Sequence, residues 1–457
     1  MKFSLVTLTT LCASALAAPT AKKSLKIDFQ KQLADSGTTS QDPNQLGGAQ
    51  GKVPHEVELT NHVVYYLAEV ALGTPPQKFQ IDIDTGSSDL WVKADGSPGA
   101  YSRNSSSTWS HYADNFYIAY GDQTSASGDW ATETLGFADA QIPKFIFGEA
   151  TSATSQPVFG IGYSGIEASI HQPNAFTYDN FPIRLAKEGF VNTPAYSLYL
   201  NDFAAKTGSV LFGAVDKSKI DGSLTILPTI KDQTTDSKPK EFLVTLNSID
   251  INVNGTTTNA LDKTRHVLLD SGTSLTYLPP QTTRTIAQKF QLLQVSGGWG
   301  LTKKQVDALP DTATLDYNLQ GAHVGVKVKD LFTLGKNYLN QQLYIEYNGV
   351  REPFYQILIA DGGDRGPGND EPVELAKFIF GDSFLRSAYV VYDIGADKIA
   401  VSQAKFGSGS AEDLADIQIE DKGGIPAATA ASDPVWTQNA PIETSVNYNP
   451  QIYRLST

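Results

Sequence analysis

The feature that most constrains how this chain can fold is an internal repeat. The run Ile81-Asp82-Ile83-Asp84-Thr85-Gly86-Ser87-Ser88 returns as Val267-Leu268-Leu269-Asp270-Ser271-Gly272-Thr273-Ser274, and its two aspartates, Asp84 and Asp270, stand 186 residues apart. In each copy a strand-like apolar run leads into Asp, a small hydroxyl residue, Gly and two further hydroxyl residues. A duplicated fold in which each half lends one carboxyl group to a shared cleft would produce this pattern. A single Asp-Thr-Gly after a strand is more often a simple β-turn. Two copies in matching contexts reverse that reading.

The composition of the motif suits a pair of working carboxyls. Two adjacent carboxyls that share one proton can take a proton from a water molecule and give one to a carbonyl oxygen. Their like charges keep both from ionising together, so the pair titrates in two separated steps and favours acid. The glycines let the backbone turn sharply and approach the partner loop, while the hydroxyls and amides nearby hold the carboxylates in place.

The rest of the chain agrees with two lobes built from strands. From Glu56 to about Phe406, short runs rich in Val, Ile, Tyr, Phe and Thr alternate with Gly, Asn, Asp and Pro, as in 63–71 and 242–252, which predicts an all-β fold. Helical periodicity is confined to 180–188, 282–290 and 303–308, the last two placed behind threonine caps. With 457 residues there is apolar material for more than one core. The expected divisions are an N-terminal lobe at 56–225 and a C-terminal lobe at 226–406, followed by a polar tail at 407–457.

The beginning of the chain reads as an export signal at 1–17, with Lys2, an apolar stretch from Phe3 to Leu16, and Ala15-Leu16-Ala17 as the cleavage site. Export to the extracellular space is expected. The only cysteine, Cys12, leaves with that segment, so the mature chain can have neither a disulfide nor a thiol nucleophile. Asn104-Ser105-Ser106 and Asn254-Gly255-Thr256 are acceptor sequons for N-glycosylation.

Residues 18–55 are polar and locally basic, whereas the whole chain carries 35 basic and 49 acidic residues. A pro-segment of opposite charge that covers the cleft and inhibits its own zymogen fits this contrast, and a disordered solubilising tail fits it equally well. Self-cleavage in acid between about Gly47 and Glu56 is the expected maturation step. The net charge of −14 disfavours nucleic acid as a partner. The polar tail lacks the apolar end that a lipid anchor needs, no membrane anchor is expected, and the expected state is a monomer.

The two motifs, with Asp89-Leu90-Trp91-Val92 after the first and Leu275-Thr276-Tyr277-Leu278-Pro279 after the second, closely resemble the pepsin family of aspartic proteases. Val158-Phe159-Gly160-Ile161-Gly162 and Phe378-Ile379-Phe380-Gly381-Asp382-Ser383-Phe384-Leu385-Arg386 resemble the segments that cross behind each catalytic loop. The likeness runs from about Val63 to Phe406. It implies a bilobal pepsin-like fold and a secreted fungal-type endopeptidase that acts on polypeptides with no cofactor or metal.

By the same resemblance Asp84 and Asp270 are the catalytic pair. Thr85 and Ser271 would exchange hydrogen bonds between the lobes, and Ser87 and Thr273 would support the carboxylates. Gly86, Gly272 and Ser274 would meet the substrate backbone. The stretch Phe116-Tyr117-Ile118-Ala119-Tyr120-Gly121-Asp122 looks like the flap hairpin, with Tyr120 closing over the substrate and Trp91 hydrogen-bonded to it. Asp122, helped by Asp82, is expected to admit a lysine as well as large apolar residues before the scissile bond, although both acids would equally fit as solvated or locally bonded groups. The family usually carries disulfides, and this chain departs from it there and in its long tail.

Rival chemistries fit poorly. The order Gly162-Tyr163-Ser164-Gly165 is no nucleophile elbow, and histidines 55, 62, 111, 171, 266 and 323 show no zinc-binding spacing. The serious competitor is a catalytically silent relative that binds peptides or inhibits proteases, which would be expected to have lost a dyad residue, a motif glycine or the flap tyrosine, and none of these is lost here.

Overall fold

A computed structural model describes residues 24–33, 64–138, 140–231, 236–261, 263–337, 340–362, 378–407, 411–433 and 450–457. The export signal with Cys12, most of the 18–55 segment and the expected cleavage region lie outside these residues.

Strands dominate, as the alternating runs require. A 14-stranded sheet draws on both halves of the chain, and five-, four- and seven-stranded sheets build the C-terminal half. Strand Ala195–Tyr199 makes the junction, pairing on one side with Thr207–Phe212 and on the other with Ala388–Asp393. One continuous apolar core runs through both halves, from Ile81, Ile83 and Phe159 to Leu268, Leu269 and Phe380. The expected lobe division at 225/226 falls inside strand Ile220–Pro228, which belongs to the shared sheet.

The strands that end in the two aspartates occupy equivalent places. Gln77–Asp84 alternates in exposure over its first half and is buried over its last four residues, where Val158–Gly160 runs parallel beside it. Arg265–Leu269 is buried throughout, with Phe378–Phe380 parallel beside it. A strand covered on both faces reads as a continuous apolar run rather than an alternation.

The glycines of the crossing segments are needed for close approach. A Cβ on Gly160 would lie 2.4 Å from the Ser88 amide nitrogen, and one on Gly381 would lie 2.1 Å from the Thr273 carbonyl oxygen. Behind the first loop the Ile161 amide donates to the Asp84 carbonyl, and behind the second the Asp270 amide donates to the Phe380 carbonyl.

Among the described residues the α-helices are few: α1 (Phe181–Lys187), α2 (Pro280–Phe290), α3 (Lys303–Ala308) and α4 (Asp382–Leu385). Thr302 caps α3 in a full capping box with Gln305. For α2 the threonine cap expected near 282 is not used. The helix begins at Pro280, whose fixed φ suits the first helical position, and Thr282 and Thr283 are buried within its first turn.

Two segments are more ordered than their composition suggests. Leu25–Leu33 is an inner strand of the large sheet, antiparallel to both Thr207–Phe212 and Val64–Leu72, and it buries Leu25, Ile27 and Phe29. The polar tail is also bonded to the body. Leu414–Asp416 pairs with Ala214–Asp216, Ala428–Ala430 pairs with Ile220–Pro228, and Ile417 and Ile425 are buried.

Candidate active site

The two repeat motifs meet where the halves touch, and their contacts are nearly symmetric. The Thr85 amide donates to Ser271 Oγ at 3.1 Å, and the Ser271 amide donates to Thr85 Oγ1 at 2.9 Å. Each hydroxyl passes its own proton onward across the interface, Thr85 Oγ1 to the Leu269 carbonyl at 3.0 Å and Ser271 Oγ to the Ile83 carbonyl at 2.8 Å. All four bonds are buried, where an unpaired polar group is costly, so they fix one loop against the other.

The carboxylates are held in the same paired way. Asp84 Oδ1 accepts from the Gly86 amide at 2.7 Å and its Oδ2 from Ser87 Oγ at 2.5 Å. Asp270 Oδ1 accepts from the Gly272 amide at 2.9 Å and its Oδ2 from Thr273 Oγ1 at 2.6 Å. Each motif glycine faces the opposite carboxyl. A Cβ on Gly86 would sit 2.5 Å from Asp270 Oδ1, and a Cβ on Gly272 would sit 2.4 Å from Asp84 Oδ1. Ser274 follows on the second loop, its carbonyl accepting from the Ser383 amide.

Burial pushes the Asp270 carboxyl up to about 8, and the Asp84 charge beside it and a hydrogen bond with the Asp84 carboxyl add to that rise, against the bonds from Thr273 and Gly272. Burial and a neighbouring like charge both disfavour the ionised form of a carboxyl.

The stretch 116–122 is the end of a hairpin whose arms are Ser110–Ala119 and Ser125–Phe137. Its turn is closed by bonds between Tyr120 and Thr124 and from the Gln123 amide to the Tyr120 carbonyl. Trp91 Nε1 donates to the Tyr120 hydroxyl at 2.7 Å. Beneath the arms, Phe116 stacks edge-on against Trp130, and Phe176 and Tyr178 do the same from the neighbouring loop. Gly121 is exposed at the turn, with no atom within 4 Å of the position its Cβ would take.

Asp122 is exposed on the same turn, and its Oδ1 accepts from the Thr124 amide and hydroxyl. Asp82 is buried instead, with Oδ1 accepting from the Tyr66 amide at 2.9 Å. Burial and the nearby charges of Asp84, Asp382 and Asp270 hold its carboxyl well above the usual range, against the Tyr66 bond. Tyr65, which the sequence reading passed over, lies in the field of both acids, and its hydroxyl is pushed up to about 12 by burial and by Asp82 and Asp122. Asn104 is exposed in the single turn Arg103–Ser105, and Asn254 is exposed in a hairpin turn at φ 51°, followed by Gly255 at 75°.

Further acids surround the site without having been singled out by sequence. Asp382, the first residue of α4, is buried beside the dyad with neither carboxyl oxygen hydrogen-bonded, and Arg386 and Lys31 lower the cost of its charge. Behind the hairpin, Asp89 accepts from the Tyr178 hydroxyl at 2.6 Å and the Ala168 amide at 2.9 Å. Both positions stand inside motifs that the sequence made visible, but only packing shows that their carboxyls are buried. Among the described residues no group of three or more His, Cys, Asp and Glu side chains could hold a metal ion.

Two halves that each end a buried strand in an Asp-Thr/Ser-Gly loop, joined across a shared sheet and covered by a hairpin, define the class of pepsin-like proteins. The comparisons agree. Residues 65–404 match the family described as Eukaryotic aspartyl protease, and the chain belongs to that family. It is similar to the acid protease of Saccharomycopsis fibuligera, with 35% identity over 87% of this chain and 98% of that one. It is similar also to secreted aspartic protease 1 of Candida albicans, with 36% identity over 80% and 89%. The crystal structure of the aspartic proteinase from Irpex lacteus shares its fold, with a TM-score of 0.59 and 22% identity over 78% of this chain and 98% of that one. The protein is an aspartic-type endopeptidase that acts on polypeptides. Among the described residues no helix is long and apolar enough to cross a membrane.

Proposed function

We propose that this chain is a secreted endopeptidase that works in acid by driving one water molecule, held between Asp84 and Asp270, onto a peptide carbonyl. The observation that carries this reading is the interlocking of the two Asp loops, in which each motif glycine faces the opposite carboxyl, and burial together with the Asp84 charge raises the Asp270 carboxyl. With one proton between them, the ionised carboxyl takes a proton from water as the protonated one gives its own to the carbonyl oxygen. The tetrahedral product then collapses with the proton delivered to the leaving amine. Ser87, Thr273 and the Gly86 and Gly272 amides keep both carboxyls in register. Gly86, Gly272 and Ser274 on the loops, and Gly121 on the hairpin, offer backbone to an extended substrate, with Tyr120 closing over it. Proteolysis measured in acid for the parent chain and Asp84→Asn, with and without a pepstatin-type inhibitor, tests this. Activity that survives both would overturn it.

Asp122, helped by Asp82, would accept a basic side chain before the scissile bond by a charge-assisted hydrogen bond, besides large apolar ones. The exposure of Asp122 on the hairpin turn supports this, whereas Asp82 is buried and bonded to the Tyr66 amide. Comparing cleavage after Lys with cleavage after Leu or Phe in Asp122→Ala decides the matter, and an unchanged ratio argues against it.

The 18–55 segment fits a zymogen arrangement, since Leu25–Leu33 is paired on both sides within the large sheet. Lys31 donates to the Phe203 carbonyl and lies near Asp382. The described part of the segment is anchored in the sheet, which supports an inhibitory pro-segment held on the body of its own chain. Export, occupancy of the exposed Asn104 and Asn254 by glycans, and a monomeric state complete the reading.

A further inference from the structure

Four strands of the C-terminal half, Leu293–Val295, Gly298–Thr302, Val350–Ile357 and Tyr344–Tyr347, pair in that order into a sheet. The far end of the tail takes both outer strands at once. Ile452–Tyr453 runs parallel to the first, with Gln294 opposite Ile452 and Val295 opposite Tyr453. Leu455–Ser456 runs antiparallel to the last, with Ile345 opposite Leu455 and Tyr344 opposite Ser456. A stretch of five residues therefore closes the sheet into a ring.

The ring has an interior of its own. Leu455 is buried with Leu293, Val295, Leu343, Ile345 and Phe354 in a cluster separate from the main core, and Tyr453 packs against Tyr347 with ring centroids 6.0 Å apart. Outside it, Arg351 lies over the Tyr344 ring at 3.8 Å and donates through Nη2 to the Thr457 carbonyl at 2.7 Å. Ile452 stays 63% exposed, so the stretch presents one apolar anchor inward rather than a continuous apolar face.

We propose that the gap between Leu293–Val295 and Tyr344–Tyr347 is a binding site for an extended peptide, separate from the cleft at Asp84 and Asp270, and that residues 451–457 are its resident ligand. Its recognition elements are those of strand addition: two main-chain ladders give affinity, and one socket for Leu gives register. Arg351 fixes the far end. The resident segment also protects the sheet. Without it, one side each of two strands would be unpaired, and such edges accept strands from other molecules. The slot bears on the cleft as well, because Val350–Ile357 leads directly into Ile359–Asp361, which pairs with Thr276–Leu278 just beyond the Asp270 loop.

The test removes the ligand and returns it. In an Asp84→Asn background, to prevent self-digestion, residues 451–457 are deleted and a synthetic peptide of residues 450–457 is titrated back. The deletion is expected to lower the thermal midpoint by several degrees. The peptide should restore it and bind with Kd on the order of micromolar, and a peptide with Leu455→Asp should do neither. An unchanged midpoint, or a folded deletion variant that fails to bind the peptide, overturns the proposal. Dimers of the full chain that dissociate on deletion would overturn the assignment of the segment to its own molecule. If the deletion variant does not fold, Leu455→Ala in the full chain is read by hydrogen exchange, with faster exchange expected in 293–295 and 344–347. Unaltered exchange there would refute the site.

Discussion

Thr85 and Ser271 donate their backbone amides to each other's side-chain oxygen, at 3.1 and 2.9 Å, across the junction of the two halves. Removing either hydroxyl leaves a buried amide unpaired on the opposite loop. Thr85→Val keeps the shape of the side chain and loses both of its bonds, so it is expected to cost about 1–3 kcal/mol of stability. Activity should fall further than stability does, because the bonds set the position of one carboxyl relative to the other. Thermal denaturation and kcat/KM measured together check this, and a variant that loses stability at full kcat would refute the positioning role.

The facing of each glycine toward the opposite aspartate gives a symmetric prediction. A methyl group on Gly86 would press on Asp270, and one on Gly272 would press on Asp84, at 2.5 and 2.4 Å. Each alanine variant must separate the carboxyls or displace a loop, so both are expected to lose kcat by about 100-fold or more. The upper limb of the pH–rate profile should shift toward acid, since parting the carboxyls relieves the repulsion that keeps the shared proton bound. A steady-state profile between pH 2 and 8 would show it, and either variant retaining the parent profile counts against a shared proton.

Trp91 donates to the Tyr120 hydroxyl at 2.7 Å from a fully buried position. Trp91→Phe keeps most of the packing and drops the bond, leaving the tyrosine free to swing with its hairpin. We expect kcat/KM to fall about 10-fold, with the thermal midpoint changed little. A fall confined to stability would show that the tryptophan serves the core alone.

The sequence carried the centre of the site because a dyad made from one repeat is local twice: each Asp, its hydroxyl supports and its glycine lie within four residues. The same locality explains the hairpin and the threonine cap of α3. What was illegible depended on contacts distant in the chain. Asp382 and Asp89 stand inside motifs that were read, yet nothing in their neighbourhoods announces burial without a counter-charge in direct contact. The tail escaped because strands of two or three residues have no periodicity to detect. Leu25–Leu33 could have been found, since Leu25, Ile27 and Phe29 alternate with polar residues, but its polar surroundings drew attention to charge instead.

Two acids behind the hairpin add to the loss of stability expected toward neutral pH. Burial pushes Asp89 up to about 6 against its bonds from Tyr178 and Ala168, and pushes Glu167 up to about 8 against the bond from the Tyr178 amide, with Asp89 adding to the rise. Unfolded, both would release their protons near pH 4. The folded state therefore holds more protons above that point. The stability tied to them is complete below about pH 4 and is lost as pH rises, through about 6 for Asp89 and about 8 for Glu167. For Asp89 the loss is at most about 3 kcal/mol. Asp89→Asn retains an acceptor for Tyr178 or Ala168 and cannot ionise, so its thermal midpoint should decline less than the parent's between pH 4 and 7. Glu167→Gln should flatten the decline up to pH 8. Phe176 and Tyr178 join this loop to Trp130 beneath the hairpin, so the same variants should also slow inactivation at neutral pH. Denaturation curves collected across that range in an Asp84→Asn background decide the matter, and curves that run parallel to the parent's would show that other carboxyls govern the loss.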